Sequence, residues 1–173
     1  VHLTSHEIYG GHHTHRAWIE TELVRGRGEA DRTLDLLYAP EAVISEGIAE
    51  TGPYLVAGDG QELAAAVLGR LGFEYDAEVG ARVIEARELT RPVAANIAML
   101  LHGRGGSREE ALEYATAWSL QPPERVEKLV DSQLRSGSPV YQHTYWQGRE
   151  LVAGHVGGDP ARLRELMTAR VRP

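Results

Sequence analysis

The 173-residue chain carries eight histidines, and four of them lie within ten residues near the start of the sequence. These four are His6, His12, His13 and His15, and Glu7 stands directly after the first. Imidazoles and carboxylates are ligands that zinc prefers, and a catalytic zinc site takes three protein ligands and leaves the fourth position to water. The cluster therefore predicts a site for one divalent cation, zinc first, and the same ligand types also accept manganese, cobalt or iron.

The spacing of these histidines departs from the HExxH pattern, in which two histidines four residues apart share one helix face. Position +4 from His6 is Gly10, so the second histidine ligand must lie elsewhere. A bulge at Gly10 and Gly11 inside a helix would bring His12 to the place normally held at +4, and bulges of this kind concentrate at functional sites. His13 is the alternative, because it lies two helical turns after His6 and returns to nearly the same face. We favour His12 and keep His13 as its rival.

A third ligand is expected from a carboxylate on a later helix. Glu46 and Glu50 stand one helical turn apart, so both face the same side of that helix. Glu46 lies between Ser45 and Gly47, two small residues that would let this helix approach the histidine-bearing helix closely. Glu50 is placed to hold a histidine ring by its second nitrogen. Glu41 is the alternative carboxylate ligand.

Helical signals dominate the segments that must position these residues. An amphipathic pattern predicts a helix from residue 7 to about residue 24, and a second long helix is predicted over 76–102, with a kink at Pro92. Ser107 and Glu110 form a capping box that starts another helix. No segment shows period-two alternation between turn signals. We predict an all-α fold of seven to nine helices, with residues 1–173 forming a single helical domain.

Composition excludes several classes of protein. The formal net charge is -7 and the arginines are scattered, which argues against a nucleic-acid partner. The absence of cysteine excludes disulfides and a cysteine nucleophile, and it is compatible with a cytoplasmic location. No apolar run is long enough for a membrane span, and the first residues lack the features of a signal peptide. Because the sequence opens inside its motif-rich segment without an initiator methionine, we expect it to be the C-terminal part of a longer protein.

Three motifs resemble a bacterial family of predicted zinc peptidases whose signature reads HExxPGHH. Residues 6–13 read HEIYGGHH, with Gly10 at the position where that family usually has proline. Residues 46–49 read EGIA and are similar to its EGxA motif. Residues 141–151 read YQHTYWQGREL and look like its YxxGxxL helix. The motifs occur in this order from residue 6 to residue 151.

The resemblance implies a helical, gluzincin-like metallopeptidase domain in which two histidines and a glutamate hold zinc. Carried over residue by residue, it implies His6, His12 (or His13) and Glu46 as ligands and Glu7 as the general base. The expected reaction is hydrolysis of a peptide bond by a metal-activated water. The family's N-terminal portion, which builds the other wall of the cleft, would then be a partner of this chain.

Two residues near the C-terminus are expected to complete that site. Tyr145 is the candidate donor to the oxyanion, with Tyr141 or His143 behind it. Arg149 follows Tyr145 by one helical turn and could pair with a substrate carboxylate, which would favour a carboxypeptidase or dipeptidase.

Two other functions fit the same residues. A metal-binding domain without catalysis would close its coordination shell with both His12 and His13, and an inactive module derived from a peptidase would hold no metal at all. We expect His15 to face solvent, and we assign structural roles to His2, His102 and His155.

Overall fold

A computed structural model describes residues 2–135 and 141–169, and within these residues the backbone forms helices and turns with no β-strand. The all-α prediction is confirmed. The α-helices are α1 (His2–Glu7), α2 (His12–Trp18), α3 (Glu41–Ala57), α4 (Gln61–Arg70), α5 (Ala77–Thr90), α6 (Pro92–Ala98), α7 (Arg108–Trp118), α8 (Pro123–Arg135), α9 (Gln142–Val156) and α10 (Pro160–Thr168). Helical turns of the π type follow α2 and α6, and a short 3₁₀ turn covers Ala30–Thr33. None of the helices in the described ranges is both long and apolar enough to cross a lipid bilayer.

The described residues contain more α-helices than predicted, because one long predicted helix is divided and a short helix that was not predicted precedes another. The helix predicted over 76–102 ends at Thr90 and a new helix begins at Pro92, where the missing amide hydrogen is tolerated. The helix predicted from residue 7 to 24 begins instead at His12, and the break between α1, which ends at Glu7, and α2 divides the histidine segment. This break shapes the histidine cluster and is described with it below.

Contacts within the chain define two compact units, which are described separately. Unit 1 comprises residues 1–81 and 144–173, and unit 2 comprises residues 82–143. The expectation of a single domain over the whole chain stays a prediction.

Unit 1 has an apolar cluster to which α3, α9 and α10 contribute. Its buried members are Ile48, Val152, Val156, Leu163, Leu166 and Met167. Helices α3 and α9 meet backbone to backbone, since a Cβ atom on Gly47 would overlap the carbonyl oxygen of Gly148, and one on Gly148 would overlap the carbonyl oxygen of Val43. Gly47 was expected to let α3 approach the histidine-bearing helix, but the close approach that it allows is between α3 and α9.

Unit 2 is a helical bundle whose core is apolar. Its buried members are Val93, Ile97, Leu101, Ala111, Ala115, Val126 and Val130. The predicted capping box is confirmed, with Ser107 and Glu110 each satisfying the other's backbone N–H at the start of α7. Arg108 pairs with Asp131 at 2.9 Å and links α7 to α8. This unit positions none of the predicted metal ligands.

Candidate metal centre

The histidine segment is a broken helix and not a helix with a bulge. Helix α1 ends at Glu7 and α2 begins at His12, with Gly10 and Gly11 between them. Gly10 has a φ of 83°, a left-handed conformation that glycine adopts at little cost. A Cβ atom on Gly11 would overlap the carbonyl oxygen of His6. The diglycine therefore forms a tight turn between α1 and α2, which the bulge prediction did not describe.

Thr14 holds this turn closed. Its hydroxyl accepts a hydrogen bond from the N–H of Gly10 and donates one to the carbonyl of Ile8, each at 3.0 Å. Helix α3 supports the turn from the other side, because a Cβ atom on Gly52 would overlap the carbonyl oxygen of Gly10. The sequence analysis missed Thr14, although a threonine one turn after a glycine pair is a recognisable signal for side-chain capping.

The turn brings two imidazoles to one carboxylate. His6 Nε2 lies 3.3 Å from Glu46 Oε2, and His12 Nε2 lies 3.4 Å from the same oxygen. The donor atoms of these three residues lie within 4.8 Å of one another. Zinc ligands at bond lengths of about 2.0–2.1 Å in a tetrahedral arrangement are about 3.4 Å apart. The donor types and two of the three separations therefore fit a divalent cation, and His6, His12 and Glu46 could hold one.

The second ring nitrogen of each histidine faces a further residue of α3. Glu50 Oε1 lies 3.1 Å from Nδ1 of His6, where the sequence analysis placed it. Ser45 Oγ lies 3.3 Å from Nδ1 of His12. Partners of this kind orient a metal-binding imidazole and select its tautomer. Ser45 was considered only for its small size, and its hydrogen bond was missed because it depends on how close α2 comes to α3.

The site concentrates charge inside unit 1. His6, Glu46 and Glu50 are each about 5–6% exposed. Hydrogen bonds to Glu46 and Glu50 raise the pKa of His6 to about 9, against the opposing effect of burial. Without a cation, His6 is therefore protonated at neutral pH and its proton neutralises part of the carboxylate charge. A bound metal would take the place of that proton, because a metal ligand must be deprotonated.

The residues predicted to act beside the metal ligands, which are Tyr145, Arg149 and Glu7, differ in their surroundings. Tyr145 is close to the centre, with its ring 6.3 Å from that of His6. Arg149 has its guanidinium 4.9 Å above the ring of Tyr54, on α3. Glu7 follows His6 at the end of α1 and its side chain is exposed.

Two alternative ligands lie outside the group of donors. His13 and Glu41 are both exposed, and the structure groups His12 and Glu46 with His6 instead. Helix periodicity from His6 to His13 no longer applies once the chain breaks at the diglycine.

One prediction about the cluster is wrong. His15 was expected to face solvent, but it is 8% exposed, and burial lowers its pKa to about 4. It lies one turn after His12, on the same face of α2. By contrast, His155 is exposed, and Nε2 of His102 lies 3.0 Å from the carbonyl oxygen of Gln133.

Comparisons of the sequence with protein families and with curated proteins, and of the coordinates with solved structures, found no match. The site is therefore defined by its own chemistry: two imidazoles and a carboxylate converge in an all-helical unit, and each imidazole faces a further polar residue.

Proposed function

We propose that this chain is a gluzincin-like, metal-dependent hydrolase domain that cleaves peptide bonds, with one divalent cation, zinc first, held by His6, His12 and Glu46. The observation that carries the proposal is the convergence of both histidines on one oxygen of Glu46, at 3.3 and 3.4 Å. The choice of a peptide bond, and the placement of this chain as the C-terminal part of a longer enzyme, come from the motif resemblance.

The number of ligands favours catalysis over a structural role. Within residues 2–135 and 141–169, the donor group has three members, the number typical of catalytic zinc sites. His13, which a closed four-ligand shell would need, is exposed. The His12 side chain is 25% exposed and that of Glu46 is 7% exposed, so the site can be reached from the His12 side.

When bound, the cation supplies Lewis acidity, which lowers the pKa of a water to about 7 and polarises a carbonyl group. Glu7 would accept the proton of the attacking water and pass it to the leaving amine. Tyr145 would donate a hydrogen bond to the developing oxyanion, an interaction worth roughly 2.7–4 kcal/mol in comparable sites. Glu50 would keep His6 in the orientation that presents Nε2 to the cation.

The ligand assignment is tested with two adjacent histidines. After chelator treatment and dialysis, titration calorimetry should give one zinc per wild-type chain. His12→Ala should weaken zinc binding by about 100-fold or more, because it removes a ligand and not only a supporting residue. His13→Ala, the matched control, should bind as the wild type does. Loss of zinc in the His13 variant and not in the His12 variant would reverse the assignment, and an absence of zinc from the wild type would favour the inactive module.

The catalytic role is tested with a mixture of short peptides analysed by mass spectrometry. Glu7→Gln should keep its zinc and lose about 100-fold or more in hydrolysis rate, since a positioned general base contributes at least that factor. Glu41→Gln serves as the control, because Glu41 is exposed and outside the donor group. Full activity of the Glu7 variant would disprove the general-base assignment, and zinc binding without hydrolysis of any peptide would favour the non-catalytic alternative.

A further inference from the structure

The apolar face of α4 is wider than the part of it that is buried. Ala64 is buried and Leu68 is partly buried, and these two residues stand one turn apart. Leu63 and Val67, with Leu71 directly after the helix, form an adjacent row in which each residue is 46–65% exposed. A surface helix usually turns its apolar stripe towards the core, so an exposed row of large apolar residues marks a surface suited to binding another molecule.

A second exposed row runs beside the first. It consists of Glu62, Ala66 and Arg70, which are also one turn apart and all exposed. The two charged residues stand eight positions apart, about 12 Å along the helix axis, so they cannot pair with each other. Ala66 lies between them and adds little bulk, so a second helix can approach closely at this point.

The chain that follows α4 extends the exposed apolar surface. Gly72 has a φ of 81°, and the N–H of Phe73 donates to the carbonyl of Leu68 at 2.9 Å. Such a hydrogen bond is typical of a helix that ends at a left-handed glycine. It holds Phe73, which is 63% exposed, beside the last turn of the helix. The apolar surface therefore continues past Leu71.

We propose that α4 of one copy of this chain binds α4 of a second copy in an antiparallel pair, so that the protein forms a two-fold symmetric dimer. Both exposed rows have the symmetry that this pair requires, because a half-turn about an axis through the middle of α4 exchanges the two ends of each row. Leu63 then meets Leu71 of the second copy, and Val67 meets its own equivalent near the axis. The exposed apolar row is thereby buried against itself.

The charged row selects both the orientation and the partner. In the antiparallel pair, Glu62 faces Arg70 of the second copy, and symmetry makes this contact twice. In a parallel pair, each charge would face its own equivalent and repel it. An unrelated protein would need the inverse of this pattern, which a second copy carries by symmetry. The metal ligands are not on α4, so the dimer does not depend on the proposed function.

The dimer is tested by sedimentation equilibrium of the full chain over a range of micromolar concentrations. The wild type should approach twice the 19.0 kDa of one chain. Val67→Glu should weaken the association about 100-fold or more, because it places two carboxylates face to face in the centre of the interface. Val83→Glu, the matched control at an exposed valine of α5, should leave it unchanged. Both positions are exposed, so circular dichroism should show the same helix content in both variants. A wild type that stays monomeric, or a dimer that tolerates Val67→Glu, would overturn the proposal.

The antiparallel orientation is tested by exchanging the charges. Glu62→Arg and Arg70→Glu should each weaken the dimer about tenfold, because like charges then meet at both ends of the helix pair. An equimolar mixture of the two variants should recover the affinity of the wild type, since one copy then carries only positive charges in this row and the other only negative ones. A mixture that associates no better than its components, or an association that neither substitution weakens, would show that the antiparallel α4 pair does not form.

Discussion

The two units differ in what they bury. Among the residues that the structure describes, unit 1 buries the ionisable side chains of His6, His15, Glu46 and Glu50. The buried polar side chains of unit 2, among the described residues, are Ser119 and Gln133, neither of which ionises. Burying an ionisable group is unfavourable unless it is paired, neutral or bound to a metal, so the burial of these side chains indicates that unit 1 is organised around chemistry as well as stability.

The two units also differ in how their helices pack against one another. The core of unit 2 is made of apolar side chains from α6, α7 and α8. Unit 1 also uses glycine contacts, at Gly47 with Gly148 and at Gly10 with Gly52, where backbones touch. Close backbone approach by α3 brings its side chains to the histidine segment, which interlocking large side chains would keep at a greater distance.

The largest expected effect separates the units by their response to metal. Zinc at about 1,000 times its dissociation constant should stabilise a site that only the folded state forms by about 4 kcal/mol. Hydrogen exchange should therefore slow strongly for amides of α3 and little for those of α7 and α8. His12→Ala should abolish the effect. If zinc slowed hydrogen exchange equally in both units, or did not slow it in α3, the proposed difference between the two units would be wrong.

The second prediction concerns the folding stability of the metal-free protein at acid pH, where the two buried histidines, His15 and His6, should behave differently. The pKa of His15 is about 4 in the folded protein, against 6.5 in the unfolded chain, so its contribution to stability is complete above pH 6.5 and is lost as the pH falls towards 4. The shift corresponds to about 3 kcal/mol. His15→Gln should remove that part of the pH dependence in urea unfolding of the metal-free protein. His155→Gln, at an exposed histidine, should leave it unchanged.

His6 acts in the opposite direction and in another pH range. Its pKa is raised to about 9 in the metal-free protein, so its contribution to stability is present below pH 6.5 and is lost as the pH rises through 9. His6 therefore does not contribute to the change in stability between pH 6.5 and 4, and the difference between the wild type and His15→Gln in that range reports on His15. An identical acid profile for the wild type and His15→Gln would show that burial of this ring does not limit stability.

The smallest expected effect tests the glycine contacts of unit 1 on a single helix. Gly148→Ala should destabilise the protein by about 1–3 kcal/mol, because the new Cβ overlaps the carbonyl oxygen of Val43. Gly154→Ala, also in α9, meets open space and should stabilise by about 0.5–1 kcal/mol, because alanine favours helix. Thermal unfolding of the two variants measures the difference. Similar effects of the two substitutions would mean that the backbone contact between α3 and α9 is not required.

Much of the candidate site could be predicted from the sequence because several of its residues lie close to one another along the chain. The spacing within one segment reveals each group: the histidines that follow His6 form one, and Glu46 with Glu50 form the other. The all-α class was predictable for a similar reason, since helix periodicity, proline positions and caps act over a few residues. Glu50 was placed correctly beside a histidine because a one-turn offset on a helix has a fixed geometry.

The predictions from the sequence were wrong where the direction of the backbone, or a contact between segments distant in sequence, determines the position of a side chain. A helix continuing through Gly10 would have kept His13 as a possible partner of His6, but the left-handed glycine ends that periodicity. The burial of His15 and the orientation of Gly47 towards α9 depend on segments that are far away in sequence. No local pattern carries that information.

The residue types, their spacing and the helical class were thus determined by the sequence alone, because each follows from interactions within a few residues. Only the tertiary structure decided that His12 rather than His13 joins His6, that both meet Glu46, and that Ser45 reaches His12. The physical reason is that ligand geometry depends on separations of a few ångströms between α1, α2 and α3. Those separations are set by the diglycine turn and by its contact with Gly52.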